Sequence, residues 1–181
     1  PIEQGMNILG AHIDSPRLDV KQNPFYVDSD LALLDTHYYG GIKKYQWVTT
    51  PLAIHGIVCK ADGTAVNINV GEDESDPVFC ISDILPHLAQ EQMKKAGTEI
   101  IKGEDLDVII GSIKPSKKDE NSDEKDKKKK KDEKLTSKKI ILKLLKEKYG
   151  IEENDFESAE LEIVPAGKSR DCGFDRSLIL G

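Results

Sequence analysis

The sequence predicts a mainly β fold of the α+β class, in which a β-rich domain is inserted into part of an α/β domain. Residues 6–12 form a short, nearly continuous apolar run, which is typical of a parallel strand covered on both faces. Residues 31–70 differ, because their short branched and alternating segments are typical of antiparallel strands. Two helical patterns follow. A single strand of the α/β type is therefore followed by many short strands of another type. This order indicates that a β-rich domain is inserted into an α/β domain.

The most strongly marked strands lie on either side of a turn. Residues 52–58 are rich in branched aliphatic side chains, and residues 66–70 alternate between apolar residues and asparagine. Between them, Asp62 and Gly63 form one of the strongest short hairpin signals. Residues 42–47 are expected to lead into another strand. Further predicted strands are residues 78–81, 107–111, 161–163 and 177–180.

Two segments are predicted to be helices. The first begins at Pro86, a residue that suits the first helical turn, and ends at Gly97. The second carries its apolar residues on one face and lysines on the opposite face. Thr136 or Ser137 can cap the start of this second helix, and Gly150 can cap its end.

A strongly charged segment, residues 117–134, interrupts the predicted elements. It contains nine lysines and seven acidic residues, which gives it a net charge of +2 in a chain of net charge −7. The segment has no apolar residue to bury, so we expect a solvated, disordered insertion. A lysine run can instead bind a polyanion or act as a nuclear-import signal. Because the whole chain is acidic, nucleic acid is not expected as a partner.

Composition excludes further classes of protein. No apolar run approaches the ~18–20 residues of a membrane helix, and the N-terminus lacks the charged-then-apolar layout of a secretory leader. The three cysteines form no CxxC pair, which favours a reducing cytoplasm and small core thiols. Pro1 stands where a start methionine is usual, and Gly181 directly follows an apolar strand. We therefore expect both ends to be cut from a longer chain.

Histidine supplies the main candidate for chemistry. His12 ends the predicted buried strand, which is where open α/β sheets place their binding crevice. Asp14 follows two residues later, and in extended chain it points to the same side. A carboxylate beside a metal-bound imidazole fixes its tautomer and raises its basicity. The pair is therefore a candidate metal site, although His-x-Asp also arises often by chance. His37, His55 and His87 are expected to be structural.

Residues 10–19, with the sequence GAHIDSPRLD, resemble the first metal-binding signature of the aspartyl aminopeptidase and aminopeptidase I family of zinc exopeptidases. The resemblance continues in the same order along the chain and covers nearly all of it except the charged segment. The other similar stretches are residues 39–42 with Trp47, residues 83–88, residues 162–167 and residues 173–175.

The resemblance implies a fold and a site. It implies an α/β catalytic domain interrupted by a β-rich, barrel-like lid and oligomerisation domain. The implied boundaries are residues 1–22 and 164–181 for the catalytic domain and residues 23–163 for the lid. His12 matches the family's first zinc ligand, and Asp14 matches the catalytic acid that orients it. The resemblance further implies two zinc ions, with cobalt or manganese as alternatives, peptide substrates and a homo-oligomer.

The resemblance also sets an expectation about activity. The family's bridging aspartate, its glutamate pair and its later aspartate and histidine ligands have no counterpart in these 181 residues. We expect the intact enzyme to be a zinc-dependent aminopeptidase that removes N-terminal residues from peptides, and this chain alone to be an inactive fragment. The alternative is a non-catalytic lid and oligomerisation module that acts only through protein–protein contact.

Overall fold

A computed structural model describes residues 2–13, 15–113 and 136–180, and its centre is a six-stranded antiparallel sheet. The strand order is β4-β3-β6-β1-β2-β5, and a separate two-stranded sheet pairs β7 with β8. The elements are β1 (Arg17–Asp28), β2 (Leu31–Tyr39), β3 (Leu52–Cys59), β4 (Ala65–Val70), β5 (Val108–Gly111), helix α1 (Ser137–Tyr149), β6 (Ala159–Pro165), β7 (Arg170–Cys172) and β8 (Leu178–Leu180). Short 3₁₀ turns span Ile2–Gln4, Lys44–Gln46, Gly103–Asp105 and Glu153–Ser158.

The hairpin between β3 and β4 confirms the turn predicted from the sequence. The two strands pair antiparallel up to Cys59 opposite Ala65. The backbone N–H of Thr64 donates to Asp62 Oδ1 at 2.9 Å, while Gly63 adopts a left-handed φ of +84°. An Asp side chain that accepts a hydrogen bond from the backbone two residues on is the usual way such a turn is fixed.

Strand β1 was not among the predicted strands, and its irregular pairing explains why. Its register against β2 shifts between Val20 and Phe25. Pro24 lies within this interruption, where its missing N–H disturbs the ladder least. A β-bulge thus lets a proline-containing segment form a twelve-residue strand.

The core lies on one face of the sheet. Leu18, Val58 and Ile163, from three adjacent strands, are completely buried. Phe25 and Phe156 pack edge-to-face with 4.5 Å between ring centroids, which fixes the 3₁₀ turn before β6 against β1. These contacts confirm the mainly β prediction for the described residues. The barrel-like form is not confirmed, because the sheet is not closed.

Helix α1 confirms the predicted second helix. It is capped by Gly150, whose φ of +67° is left-handed and whose N–H donates to the carbonyl of Lys146 at 2.9 Å. Thr136 occupies the N-cap position without a side-chain capping bond. Ser137 instead donates its hydroxyl to the carbonyl of Asp30 at 2.7 Å, which ties the helix to the β1–β2 turn. None of the helices in the described part of the chain is long and apolar enough to cross a membrane.

The first predicted helix, over residues 86–97, is wrong. The segment is a series of turns, with Ala89 N–H bonded to the carbonyl of Leu85 and Met93 N–H bonded to that of Ala89. Ala89 is buried, but Leu85, Leu88 and Met93 are exposed. A short helix needs an apolar face packed against the core, and in this segment only Ala89 is buried. Residues 78–81 form only isolated bridges, and residues 42–47 contain a 3₁₀ turn.

The predicted buried strand at residues 6–12 is also wrong for this structure. The segment has no regular secondary structure, and Ile8 and Leu9 are 82% and 95% exposed. A parallel strand needs neighbours for its backbone and layers over both faces, and no described residue of the chain supplies them. The charged segment 117–134 lies outside the described residues.

The prediction of three core cysteines is wrong as well. All three thiols are free; Cys59 is exposed, and Cys80 and Cys172 are half-buried. Cys59 alternates with the fully buried Val58 along β3, so its side chain points to the outer face of the sheet.

Candidate functional site

His12 lies in the extended segment that precedes β1. Its side chain is exposed, and it has no hydrogen-bond partner among the residues that the structure describes. Asp14, the second residue of the predicted pair, lies outside the described residues. The structure thus leaves the imidazole accessible and does not test the pairing of the two side chains.

An arginine clamp fixes the chain immediately after this segment. Arg17 Nε lies 2.8 Å from Asp19 Oδ1 and 3.0 Å from Glu162 Oε1, so it joins β1 to β6. Its Cζ lies 4.1 Å from the ring centroid of Tyr39, which is opposite Arg17 in the β1–β2 register. The hydrogen bond to Asp19 raises the pKa of Arg17.

A second contact supports the same junction. A Cβ added at Gly40 would lie 3.6 Å from Pro16 Cβ, so the signature residues pack directly on the turn that follows β2. The two stretches that resemble the peptidase family, residues 10–19 and 39–42, are therefore neighbours in space. Sequence reasoning missed Arg17, Tyr39 and Glu162, because only strand register brings them together.

A row of polar side chains crosses the outer face of the sheet. His55 is opposite Glu162, Glu162 is opposite Asp19, and Asp19 is opposite His37. Directly opposite residues of antiparallel strands share a face, so two imidazoles and two carboxylates follow one another across four strands. Arg17 compensates the two central carboxylates.

The two histidines of this row have local partners. His55 Nε2 lies 2.8 Å from Glu72 Oε1, and Glu72 Oε2 accepts a hydrogen bond from Gly167 N–H at 3.3 Å. Glu72 therefore links β3, the end of β4 and the turn after β6. His37 stacks on Tyr38 with 5.5 Å between ring centroids. These contacts agree with structural roles for both histidines.

A partly buried carboxylate, that of Asp107, lies beside the edge strand β5. Asp107 Oδ2 accepts a short hydrogen bond from the Tyr26 hydroxyl, and Oδ1 accepts one from Thr36 N–H at 3.2 Å. Burial raises the pKa of Asp107, although the bonds from Tyr26 and Thr36 act in the opposite direction. Burial and the Asp107 bond also raise the pKa of Tyr26. The cluster ties β5 to β1 and β2.

A zinc ion in a protein needs three or four protein donors. Across residues 2–13, 15–113 and 136–180, no group of three or more His, Cys, Asp or Glu side chains is placed to hold a metal. His12 is one accessible donor. The described residues therefore do not by themselves form a zinc site.

Comparison with known proteins defines the class. All 181 residues match a protein family described as Aminopeptidase I zinc metalloprotease (M18). The chain is thus of the zinc metalloprotease class. More particularly, it belongs to the M18 family of aminopeptidases, which confirms the family that residues 10–19 indicated.

Individual relatives agree with this family. The chain is 62% identical over its full 181 residues to a probable M18 family aminopeptidase 1 from Clostridium acetobutylicum and covers 36% of that protein. It is 48% identical over 178 residues to the corresponding protein of Thermotoga maritima, again covering 36%. The chain therefore spans about a third of the length of the curated relatives it matches.

Solved structures show the same fold. The structure is similar to crystalline aminopeptidase I from Clostridium acetobutylicum, with a TM-score of 0.82 and 57% identity over 99% of this chain and 36% of that one. The M18 aminopeptidase of Thermotoga maritima gives a TM-score of 0.80 and 49% identity over 93% and 34%.

Proposed function

We propose that this chain forms part of a zinc-dependent aminopeptidase that removes N-terminal residues from peptides. The match of the M18 family to all 181 residues carries the proposal. The 62% identity to the Clostridium protein along the whole chain supports it, because such identity leaves little room for a change of chemistry.

In this proposal His12 is a metal ligand and Asp14 orients it. The exposure of His12 supports a ligand role, because its ring nitrogens are open to a group outside the described chain. Arg17 and Pro16 anchor the following residues on β2, which limits how far the His12 segment can swing. A bound zinc ion would polarise a peptide carbonyl and activate water.

The proposal also divides the chain between two domains. Residues 1–22 and 164–181 belong to the catalytic domain, and residues 23–163 form the barrel-like lid. In this division the exposed apolar side chains of the two outer segments would be covered by the rest of the catalytic domain. They are Met6, Ile8, Leu9, Ile13, Phe174, Leu178, Ile179 and Leu180.

Further parts of the proposal concern cofactor, assembly and location. The complete site holds two zinc ions, or cobalt or manganese in their place, and the enzyme is a cytoplasmic homo-oligomer. Three free cysteines support a reducing compartment. The 181 residues alone are inactive, since the described part forms no group of three metal ligands.

A chimera tests the proposal. The matching third of the Clostridium acetobutylicum relative is replaced by this chain, and release of p-nitroaniline from aminoacyl p-nitroanilides is measured with zinc, cobalt or manganese. We expect the chimera to turn over at a rate within about tenfold of the intact relative, and the 181-residue chain alone to show none. A folded chimera without activity, or turnover by the chain alone, contradicts the proposal.

The second candidate function is a non-catalytic lid and oligomerisation module. The exposed apolar side chains of Ile84, Leu85, Leu88 and Met93 favour it, because they project from one loop segment of the predicted lid. Light scattering and a zinc titration of the chain separate the two candidates. Self-association without zinc binding supports the module, whereas a monomer that binds zinc tightly contradicts it.

A further inference from the structure

An open groove of about 390 Å³ lies between the 3₁₀ turn Lys44–Gln46 and the segment of residues 95–102. We call it the lysine groove. Its lining consists of Lys44, Lys95, Thr98, Glu99, Ile101 and Lys102. Three ammonium groups and one carboxylate give this small surface a charge of +2, in a chain whose net charge is −7.

Glu99 offsets one of the three positive charges of the lysine groove, which leaves a positive excess. None of the three lysines forms an ion pair within the described chain. Lys44 Nζ lies 5.7 Å from the centroid of the Tyr38 ring. The adjacent Lys94, by contrast, is paired with Glu91 at 2.5 Å. A surface with an excess of one charge attracts a ligand of the opposite charge.

Packing holds the two walls of the groove together. A Cβ added at Gly97 would lie 3.8 Å from Tyr45 Cε1, and one added at Gly103 would lie 3.0 Å from Tyr38 Cε1. Tyr45 of the 3₁₀ turn thus lies against Gly97 within the other wall, and Tyr38 of β2 lies against Gly103 just after that wall. Ile101 is only 4% exposed, which anchors the lysine-bearing segment to the core.

We propose that the lysine groove binds a small organic polycarboxylate. Its volume falls at the lower end of the roughly 300–1,000 Å³ typical of small-molecule sites, which suits a ligand with several carbon atoms better than a single inorganic anion. Lysine ammonium groups are compact point charges on flexible stems, so three of them can each meet one carboxylate. The Thr98 hydroxyl supplies a further donor.

Because of Glu99, the proposal predicts variants that bind the ligand more tightly as well as variants that bind it more weakly. The Glu99 carboxylate is the one negative group among the described residues of the lining, so it opposes an anionic ligand. Removing its charge strengthens binding, whereas removing lysine charges weakens it. A nonspecific loss of folding cannot produce changes of opposite sign.

Titration calorimetry of the metal-free 181-residue chain tests the site. Propane-1,2,3-tricarboxylate is the main probe, with acetate and inorganic phosphate for comparison. We expect the tricarboxylate to bind at least tenfold more tightly than either, and its affinity to fall as sodium chloride is raised. Phosphate binding as tight as tricarboxylate binding overturns the carboxylate assignment.

Variants place the binding in the groove. Replacing Lys44, Lys95 and Lys102 together by Gln is expected to lower the affinity at least tenfold, and Glu99→Gln to raise it severalfold. Lys94→Gln removes a neighbouring charge outside the lining and should leave the affinity unchanged. Equal losses in Lys94→Gln and the triple variant, or no loss in either, overturn the proposal. Binding needs neither metal nor turnover, so this result is independent of the peptidase activity.

Discussion

The guanidinium of Arg17 stacks on the ring of Tyr39, with 4.1 Å from Cζ to the ring centroid. Because the two residues are directly opposite in the β1–β2 pair, this contact joins the residues after the His12 segment to the glycine turn that follows β2. Asp19 and Glu162 hold the same guanidinium from β1 and β6. The strand junction nearest the candidate metal ligand is thus fixed by one side chain.

Arg17→Ala is expected to loosen this junction. The substitution removes the ring contact and leaves two neighbouring carboxylates without their shared cation, so Asp19 and Glu162 repel each other. Limited proteolysis should cut between residues 12 and 20 several-fold faster than in the unaltered chain. Arg176→Ala removes an exposed arginine and should not change this rate, and equal rates in all three proteins contradict the role of the clamp.

Glycine is required at position 56 for the pairing of β3 with β6. A Cβ there would lie 2.0 Å from the carbonyl oxygen of Glu160, and the φ of +139° is unfavourable for other residues. We expect Gly56→Ala to lower the free energy of unfolding by at least about 3 kcal/mol. Gly63→Ala meets no atom within 4 Å and should cost about 1–2 kcal/mol for its left-handed φ.

Urea unfolding of the two alanine variants measures the difference. Gly63 is the matched control, because it also has a positive φ but lies in an open turn. Equal losses in both variants would show that backbone strain, and not the close approach to Glu160, determines the cost.

The carboxyl of Asp107 should make stability depend on pH. Its pKa is raised on folding, chiefly by burial, so the native state binds more protons than the unfolded state between the ordinary and the raised pKa. The contribution of Asp107 is therefore most favourable at low pH and is lost as the pH rises through the raised pKa. Asparagine cannot titrate, so the Asp107→Asn variant should not lose this contribution to stability as the pH rises.

Denaturant unfolding between about pH 3 and pH 7 measures the effect. The stability of Asp107→Asn relative to the unaltered chain should improve as the pH rises across this range. A relative stability that stays constant, or that falls, contradicts the assignment. Asp105→Asn, an exposed carboxyl nearby, serves as the control.

Much of the sheet could be predicted from local patterns. Alternation and the Asp62-Gly63 turn predicted β3 and β4, because period and turn chemistry are both local properties. β1 was missed, since its register shift near Pro24 depends on β2. The predictions for residues 6–12 and 86–97 were wrong for a related reason. Both segments contain apolar residues, but no described residue covers most of these side chains.

The site was predictable only in part. His12 and Asp14 stand two residues apart in a specific signature, so the sequence alone indicated them and their family. The cluster around Arg17 combines β1, β2 and β6, and the lysine groove combines residues more than fifty positions apart. Such groupings depend on register and on turn packing, which short-range patterns do not contain.

The zinc content of the chimera with the Clostridium relative, measured after purification, tests most directly whether His12 binds metal. We predict about two zinc ions per subunit in the unaltered chimera and about one in His12→Gln, with His37→Gln as the folded control that keeps both. Asp14→Asn should lower zinc affinity roughly 10–100-fold, as expected of a residue that orients a ligand. If His12→Gln retains as much zinc as His37→Gln, the imidazole is not a ligand and the account is wrong.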